Sequence, residues 1–211
     1  MKLVKPPKVL TDLLLRKLIW QMPAGKKQIF ITFDDGPVPE ITPEVLRILS
    51  SFKARATFFC VGENVSKHPQ VYEQILKAGH KTGNHTYNHL NGWKTRQEDY
   101  LQNIARCREL INSNLFRPPY GRINPWHIPV IKKQGYKIVM WSVLTQDYDA
   151  SLTAGQVLDN ALKYTNDGSI VVFHDSVKAA DRMLYALQGF LEHFGKKGYR
   201  FEALPDDFTA L

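Results

Sequence analysis

The sequence predicts an α/β fold in which a parallel sheet closes into a barrel, and three observations carry that prediction. Short β-branched and aromatic runs alternate with amphipathic stretches about seven times, with connections long enough for crossovers. Polar groups collect at or just after those runs, where the carboxyl ends of barrel strands hold their chemistry. No Gly-rich phosphate loop follows the first run, which argues against the alternative, an open doubly wound nucleotide-binding sheet.

Taken in order, the first strand is Gln28 to Phe33, inside IFITFDDGP, where a buried run ends in two carboxylates and a Gly-Pro break. Consecutive strand residues point to opposite faces, so Asp34 and Asp35 share an orientation only if the backbone leaves the strand between them, a bend that Gly36 permits. Thr42 to Phe52 reads as a helix with Thr42 as N-cap, Pro43 at the first position and an apolar face of Val45, Leu46, Ile48 and Leu49. Ala56 to Val61 is a second buried strand, and Pro69 to Ala78 a second helix carrying Val71, Tyr72, Ile75 and Leu76, stopped by Gly79. The short run Lys81 to Asn84 leads into NHTYNH, and Gln97 to Ile111 is a long amphipathic helix. Leu115 to Phe116 enters RPPYG, Asn124 caps a helix from Pro125 to Gln134, and Tyr136 to Ser142 is one strand. Thr153 to Tyr164 is helical, Ser169 to His174 a strand, Asp181 to Phe194 a helix, and Tyr199 to Phe201 a last short strand.

With 211 residues and no linker-like interruption, residues 28–211 read as a single domain, preceded by a basic extension, residues 1–27. A composition of 44% hydrophobic and 23% charged residues excludes a disordered chain. The net charge of +8 points to an anionic partner: nucleic acid, an anionic lipid surface or an acidic wall polymer. Nucleic acid is the weakest of these, because the Lys and Arg residues are scattered and no helix-turn-helix, zinc-finger or RNA-recognition pattern is present. Cys60 and Cys107 read as buried free thiols rather than a disulfide. No window is long and apolar enough to span a bilayer, and no export signal is recognised, which places the chain in the cytoplasm or peripherally at a membrane. Leu10, Leu13, Leu14 and Leu18 form a helical stripe beside Lys8, Arg16 and Lys17. That stripe over residues 8–20 suits a peripheral membrane helix, or more commonly a helix packing its leucine face on the domain.

An isolated Asp-Asp-Gly is ordinarily a turn in which Asp bonds its own backbone. His85 and His89, four apart, would face the same way on a helical turn and hold one metal ion, although H-x-x-x-H alone is as often structural. One carboxylate added to these two histidines makes the composition of an open catalytic metal site, and a second carboxylate beside it can take a proton from attacking water.

The ordered motifs TFDDGP, ATFFCVGENV, GHKTGNHTYNH, RPPYG, the Trp141 to Asp147 segment and VVFHD give the chain its resemblance to a known family. Over about residues 28 to 203 it resembles the polysaccharide deacetylase family, the NodB-homology or carbohydrate esterase family 4 domain. That resemblance implies a distorted (β/α)7-8 barrel that removes acetyl groups from sugars, mostly N-acetyl groups of peptidoglycan or chitin-like chains, with a divalent metal that is commonly zinc. Cobalt, nickel and manganese are alternatives, since such sites select poorly by affinity. It implies Asp34 as general base, Asp35, His85 and His89 as metal ligands, and His174 as the general acid. It further implies the Tyr120 backbone N–H as oxyanion donor, Arg117 orienting Asp34, and Asp147 holding both Arg117 and a protonated His174. Trp141 and Val172 would wall the acetyl methyl, with Tyr120 also on the substrate. His68, His80, His127 and His193 match no ligand position. Many members carry an acid at the position of Leu144 and a Trp at that of Tyr148, so this chain departs from them beside the substrate. An acetyl-ester hydrolase on xylan-like chains and a catalytically silent carbohydrate-binding relative are the competing expectations; the complete residue set argues against the silent relative.

Overall fold

The computed structural model describes residues 4–7 and 17–208. Strand β1 (Gln28–Asp34) lies at the centre of a parallel sheet, flanked by β2 (Ala56–Cys60) and β7 (Ile170–His174). The sheet continues through β3 (Lys81–Asn84), β4 (Leu115–Phe116) and β5 (Lys137–Ile138) on one side and β6 (Val143–Leu144) on the other. A further short strand, β8 (Arg200–Phe201), pairs with the start of β1. The sheet curls into the distorted (β/α) barrel that the sequence predicts, and no ladder among the described residues joins its two edges, β5 and β6.

Period-two alternation gives β1 its two tasks. Ile29, Ile31 and Phe33 face the outer core, where Phe33 stacks on Phe58 at 4.9 Å and on Phe173 at 6.0 Å. Thr32 and Asp34, on the other face, look into the barrel towards Arg117. The outer core is closed by α1 (Thr42–Ser51), α6 (Ala154–Tyr164) and α7 (Ala180–Lys196), which contribute Val45, Leu49, Val157, Leu187 and Phe190. Inside the barrel, Phe30, Phe59, Leu115, Val139 and Ile170 form the floor beneath the polar residues.

The elements differ from expectation in instructive places. Thr42 is not the cap of α1: Ile41 occupies that position, while the Thr42 hydroxyl accepts the Val38 N–H and donates to Asp175 at 2.6 Å. A short α2 (Gly62–Lys67), unforeseen, precedes α3 (Pro69–Lys77), and Leu76, assigned to the apolar face of α3, is exposed. Helix α4 (Gln97–Arg108) ends before Ile111, and α5 (His127–Lys133) begins later than Pro125 because Asn124 bonds the Trp126 N–H outside the helix. Thr153 caps α6, in a capping box with Gln156. Of the single strand expected over Tyr136 to Ser142, only β5 (Lys137–Ile138) forms, and β6 begins after it, at Val143, on the opposite edge of the sheet. The carbonyls of Val139 and Met140 accept from Arg117 instead of from a neighbouring strand, so the chain crosses the barrel gap there.

The described part of the leucine-rich stretch is not helical. Leu18 and Trp20 are buried in the core and Ile19 bridges Val139, which corrects the expectation of a membrane-facing helix for residues 18–20. Residues 8–16, with Leu10, Leu13 and Leu14, lie outside the described residues. No described helix is long and apolar enough to cross a membrane. Cys60 and Cys107 are buried free thiols, as expected.

His80 supplies a prediction from packing alone. Its Nδ1 accepts the Ala56 N–H at 3.2 Å and its ring edge meets Phe58, so burial, with Arg55 nearby, pushes the imidazole down to about 4. Above the unfolded value near 6.5 the ring is neutral in both states; below it the unfolded chain takes the proton first, so stability falls between about pH 6.5 and 4. On the order of 3 kcal/mol is at stake. Urea midpoints at pH 7 and 4.5 should show that loss, and His80→Gln should flatten it.

Candidate active site

The carboxyl ends of the central strands converge because the parallel register sets them level. Asp34 is opposite Phe59 on one side and His174 on the other, and Cys60 pairs with Asn84, just before His85. Above these ends opens a cavity of about 560 Å³ whose wall includes Asp34, Asp35, His85, His89, Tyr120, Trp141 and His174. Arg117 and Asp147 lie beneath it, fully buried.

Two acids leave the strand end in different directions because the turn bends at Asp35 itself, with φ 84°, and not at Gly36. Gly36 is required for another reason: a Cβ there would collide with the Asp175 carboxylate. Asp175 accepts the Gly36 N–H at 3.0 Å and the Thr42 hydroxyl, and donates its own N–H to the Asp34 carbonyl, tying the loop after β1 to the end of β7. Burial pushes the Asp175 carboxyl up to about 7, against its hydrogen bond from Thr42. Asn64 completes the brace with a 2.7 Å bond to the Asp35 carbonyl. Asp175 was missed as a site residue, although the acid directly after His174 was the available signal.

Asp34 is held from below. Arg117 donates from one guanidinium nitrogen to the Asp34 carboxylate and the Thr32 hydroxyl, both at 2.7 Å, and from the others to the Val139 and Met140 carbonyls. Its guanidinium lies 4.1 Å from the centre of the Phe59 ring, so it is packed as well as bonded. The expectation that Asp147 also holds Arg117 is corrected: no bond between them occurs, because those carbonyls and Thr32 occupy the guanidinium.

Asp147 serves His174 alone among the catalytic candidates. Its two oxygens accept the His174 backbone N–H at 2.8 Å and the ring Nδ1–H at 2.7 Å, which leaves Nε2 for the cavity. Burial works against the charged ring, but the Asp147 carboxylate overrides it and pushes His174 up to about 10. Tyr148 meets the same ring edge-on at 5.0 Å.

Asp35, His85 and His89 offer ligand atoms all within 4.8 Å of one another. His89 Nε2 lies 3.1 Å and His85 Nε2 3.8 Å from Asp35 Oδ1. The histidines do not share a helical turn, as their spacing suggested: they sit in a loop with left-handed Thr86 (φ 63°) and His89 (φ 58°). Asn84 and Thr86 side chains bond that loop's own N–H groups, replacing the helix as the source of convergence. The Nδ1–H of His85 donates to the Arg117 carbonyl at 2.7 Å, fixing the tautomer and turning Nε2 towards Asp35. Burial pushes His85 down to about 4, so it is a neutral donor at physiological pH. Burial alone would raise the Asp35 carboxyl, yet His89 and the other imidazoles hold it well below the usual range. A deprotonated acid and at least one neutral imidazole, with converging lone pairs, fit a divalent cation.

The rest of the wall is less as expected. Tyr120 is left-handed (φ 61°) in the turn Pro119–Gly121, whose bonds run from Gly121 N–H to Pro118 and from Arg122 N–H to Pro119, leaving the Tyr120 N–H outside them. Trp141 lines the cavity, but Val172 does not: it is fully buried within β7, and Leu144, its partner on β6, presents the apolar surface. His80 and His127 are buried away from the cavity.

Comparison with known proteins finds relatives of this chain in sequence and in fold. A family model described as polysaccharide deacetylase matches residues 21–139. A peptidoglycan-N-acetylglucosamine deacetylase of Bacillus cereus is 37% identical over 89% of this chain and 91% of its own. A chitooligosaccharide deacetylase of Azorhizobium caulinodans is 34% identical over 78% and 81%. The crystal structure of a peptidoglycan N-acetylglucosamine deacetylase in complex with 4-naphthalen-1-yl-N-oxidanyl-benzamide superposes with a TM-score of 0.86 at 31% identity, covering 95% of both chains. With a family model matched over more than half of its length and a relative 37% identical over 89% of it, the chain belongs to the polysaccharide deacetylase family.

Proposed function

We infer that the protein hydrolyses N-acetyl groups of a sugar polymer or oligosaccharide, of peptidoglycan or chitin-like type, releasing acetate. The observation that carries this reading is the arrangement of two separately held groups across one cavity: an Arg117-held carboxylate, Asp34, and an Asp147-held imidazole, His174. Asp35, His85 and His89 would hold the divalent ion, for which we propose zinc, the borderline cation suited to two imidazoles and a carboxylate. Bound there, such an ion supplies Lewis acidity, polarising the acetyl carbonyl and making water a better acid.

The chain's own residues perform the rest. Asp34 accepts the proton of the attacking water, and Arg117 keeps the carboxylate aimed into the cavity. The Tyr120 N–H donates to the oxygen on which negative charge develops. Trp141 and Leu144 provide the apolar wall for the acetyl methyl. His174 delivers its Nε2 proton to the departing amine, and the Asp147 carboxylate stabilises the imidazolium until it does. An alkoxide leaves with less acid help than an amine, so a histidine held protonated favours the amide substrate over a xylan-type ester.

The test is acetate release from N-acetylglucosamine oligomers and from peptidoglycan, after chelation and with zinc restored. Release that returns with the ion supports the reading; none from either substrate, with the ion bound, overturns it. A pH profile checks His174 separately. A general acid is active while protonated, so activity should persist through neutral pH and fall as pH rises towards about 10. Asp147→Asn removes the charge that opposes burial, and its alkaline limb should move down by roughly 1–3 pH units.

A further inference from the structure

We propose that Arg122, laid over Trp93, and Lys178 form an anion-binding subsite at the mouth of the cavity that binds a carboxylate carried by the substrate strand, so that the preferred glycan is an acidic one of peptidoglycan type. The inference rests on the deacetylase reading above and narrows its substrate class.

Both cations line the catalytic cavity, and they come from different loops: Arg122 follows the turn after β4, and Lys178 lies between β7 and α7. Neither has a carboxylate within ion-pair distance among the described residues, whereas exposed Arg47, Lys67, Lys77 and Lys81 each do. The acids of the cavity are already engaged, Asp34 by Arg117 and Asp35 by the two imidazoles. The mouth therefore presents positive charge that no acid among the described residues answers, and focusing by the cavity walls directs that field at whatever enters.

Arg122 is also held in place. Its guanidinium lies 5.2 Å from the centre of the Trp93 ring, and the indole N–H donates to the Ile123 carbonyl at 3.0 Å. Gly92 bridges to Ile123, and a Cβ at Gly92 would come within 2.6 Å of the Arg122 carbonyl and 3.0 Å of the Tyr100 ring, so the two loops are pressed together. Trp93 remains 62% exposed, so the indole under Arg122 is still open to a sugar ring beside that cation. A neutral N-acetylglucosamine polymer uses the indole and leaves both charges unanswered. A strand bearing carboxylates, either on a lactyl ether or on an acidic peptide stem, satisfies all three residues.

The experiment compares acetate release, with metal present and at low ionic strength, from three soluble substrates: a neutral N-acetylglucosamine oligomer, a peptidoglycan strand stripped to its lactyl carboxylates, and the same strand with stems intact. The wild type should prefer an acidic strand, and moderate salt should erase the preference. Arg122→Gln and Lys178→Gln should each lower the acidic-to-neutral ratio of kcat/KM roughly two- to fivefold, through KM rather than kcat. A preference confined to the stemmed strand assigns the carboxylate to the peptide; one shared by the stripped strand assigns it to the lactyl group. Acetate released from all three with no charge preference, or variants with an unchanged ratio, overturns the subsite while leaving the deacetylase reading intact. No acetate from any of the three overturns both.

Discussion

Asp34→Asn should reduce kcat by roughly 10²–10⁴-fold, the usual span for losing a positioned general base, while the protein keeps its full complement of metal. The two readouts separate because the two neighbouring acids have different tasks. Asp34 is bonded to Arg117 and lies outside the ligand cluster, whereas Asp35 converges with His85 and His89. An asparagine oxygen still accepts from Arg117, so the side chain stays near its place and loses mainly the ability to take a proton. His85→Ala is the complementary variant: it removes a ligand whose other ring nitrogen is anchored to the Arg117 carbonyl, and the ion should go with it. Metal content after dialysis, measured beside acetate release, distinguishes them. Near wild-type turnover in Asp34→Asn, or a full metal complement in His85→Ala, would remove the assigned roles.

Replacing Arg117 with leucine should cost about 3–5 kcal/mol of stability, because it leaves Asp34 as a buried carboxylate without its counter-charge. For a domain of this size that corresponds to a Tm lower by roughly 6–20 °C. Arg117→Lys should recover little, since one ammonium cannot reproduce the planar fork that reaches Asp34, Thr32, Val139 and Met140 together. The double variant Arg117→Leu with Asp34→Leu removes both charges and should be more stable than Arg117→Leu alone, though inactive. A melting curve for each variant decides the matter; a loss below about 1 kcal/mol in Arg117→Leu would mean that the pair is not what anchors this end of the barrel.

How these residues work together was only partly legible in the chain. The pairing of Asp34 with Arg117 was readable through the ordered motifs, and the barrel through alternation of strand and helix patterns. The carbonyls that Arg117 binds were not, because they belong to a stretch, Val139 and Met140, whose composition reads as ordinary strand. The assignment of Asp147 to Arg117 failed for the same reason: which partners a buried guanidinium takes depends on distances between segments far apart in sequence. Val172 shares the inward face of its registered partners Thr32 and Leu144, but it lies two residues below His174 at the strand end, so depth in the barrel, which alternation does not predict, keeps it off the cavity.

Local pattern determined what is local: the apolar periodicity of β1, β2 and β7, the apolar face of α1, the capping box at Thr153, and the arrival of acids and histidines at strand ends. These follow from residue propensity and spacing over a few positions, which any stretch of chain carries with it. Tertiary structure decided the bend at Asp35, the left-handed loop that turns His85 and His89 together, and the brace from Asp175 to Gly36 and Thr42. Each of these depends on a close approach between separate loops in which burial removes water as a competing partner, and that competition is settled only once the barrel has formed.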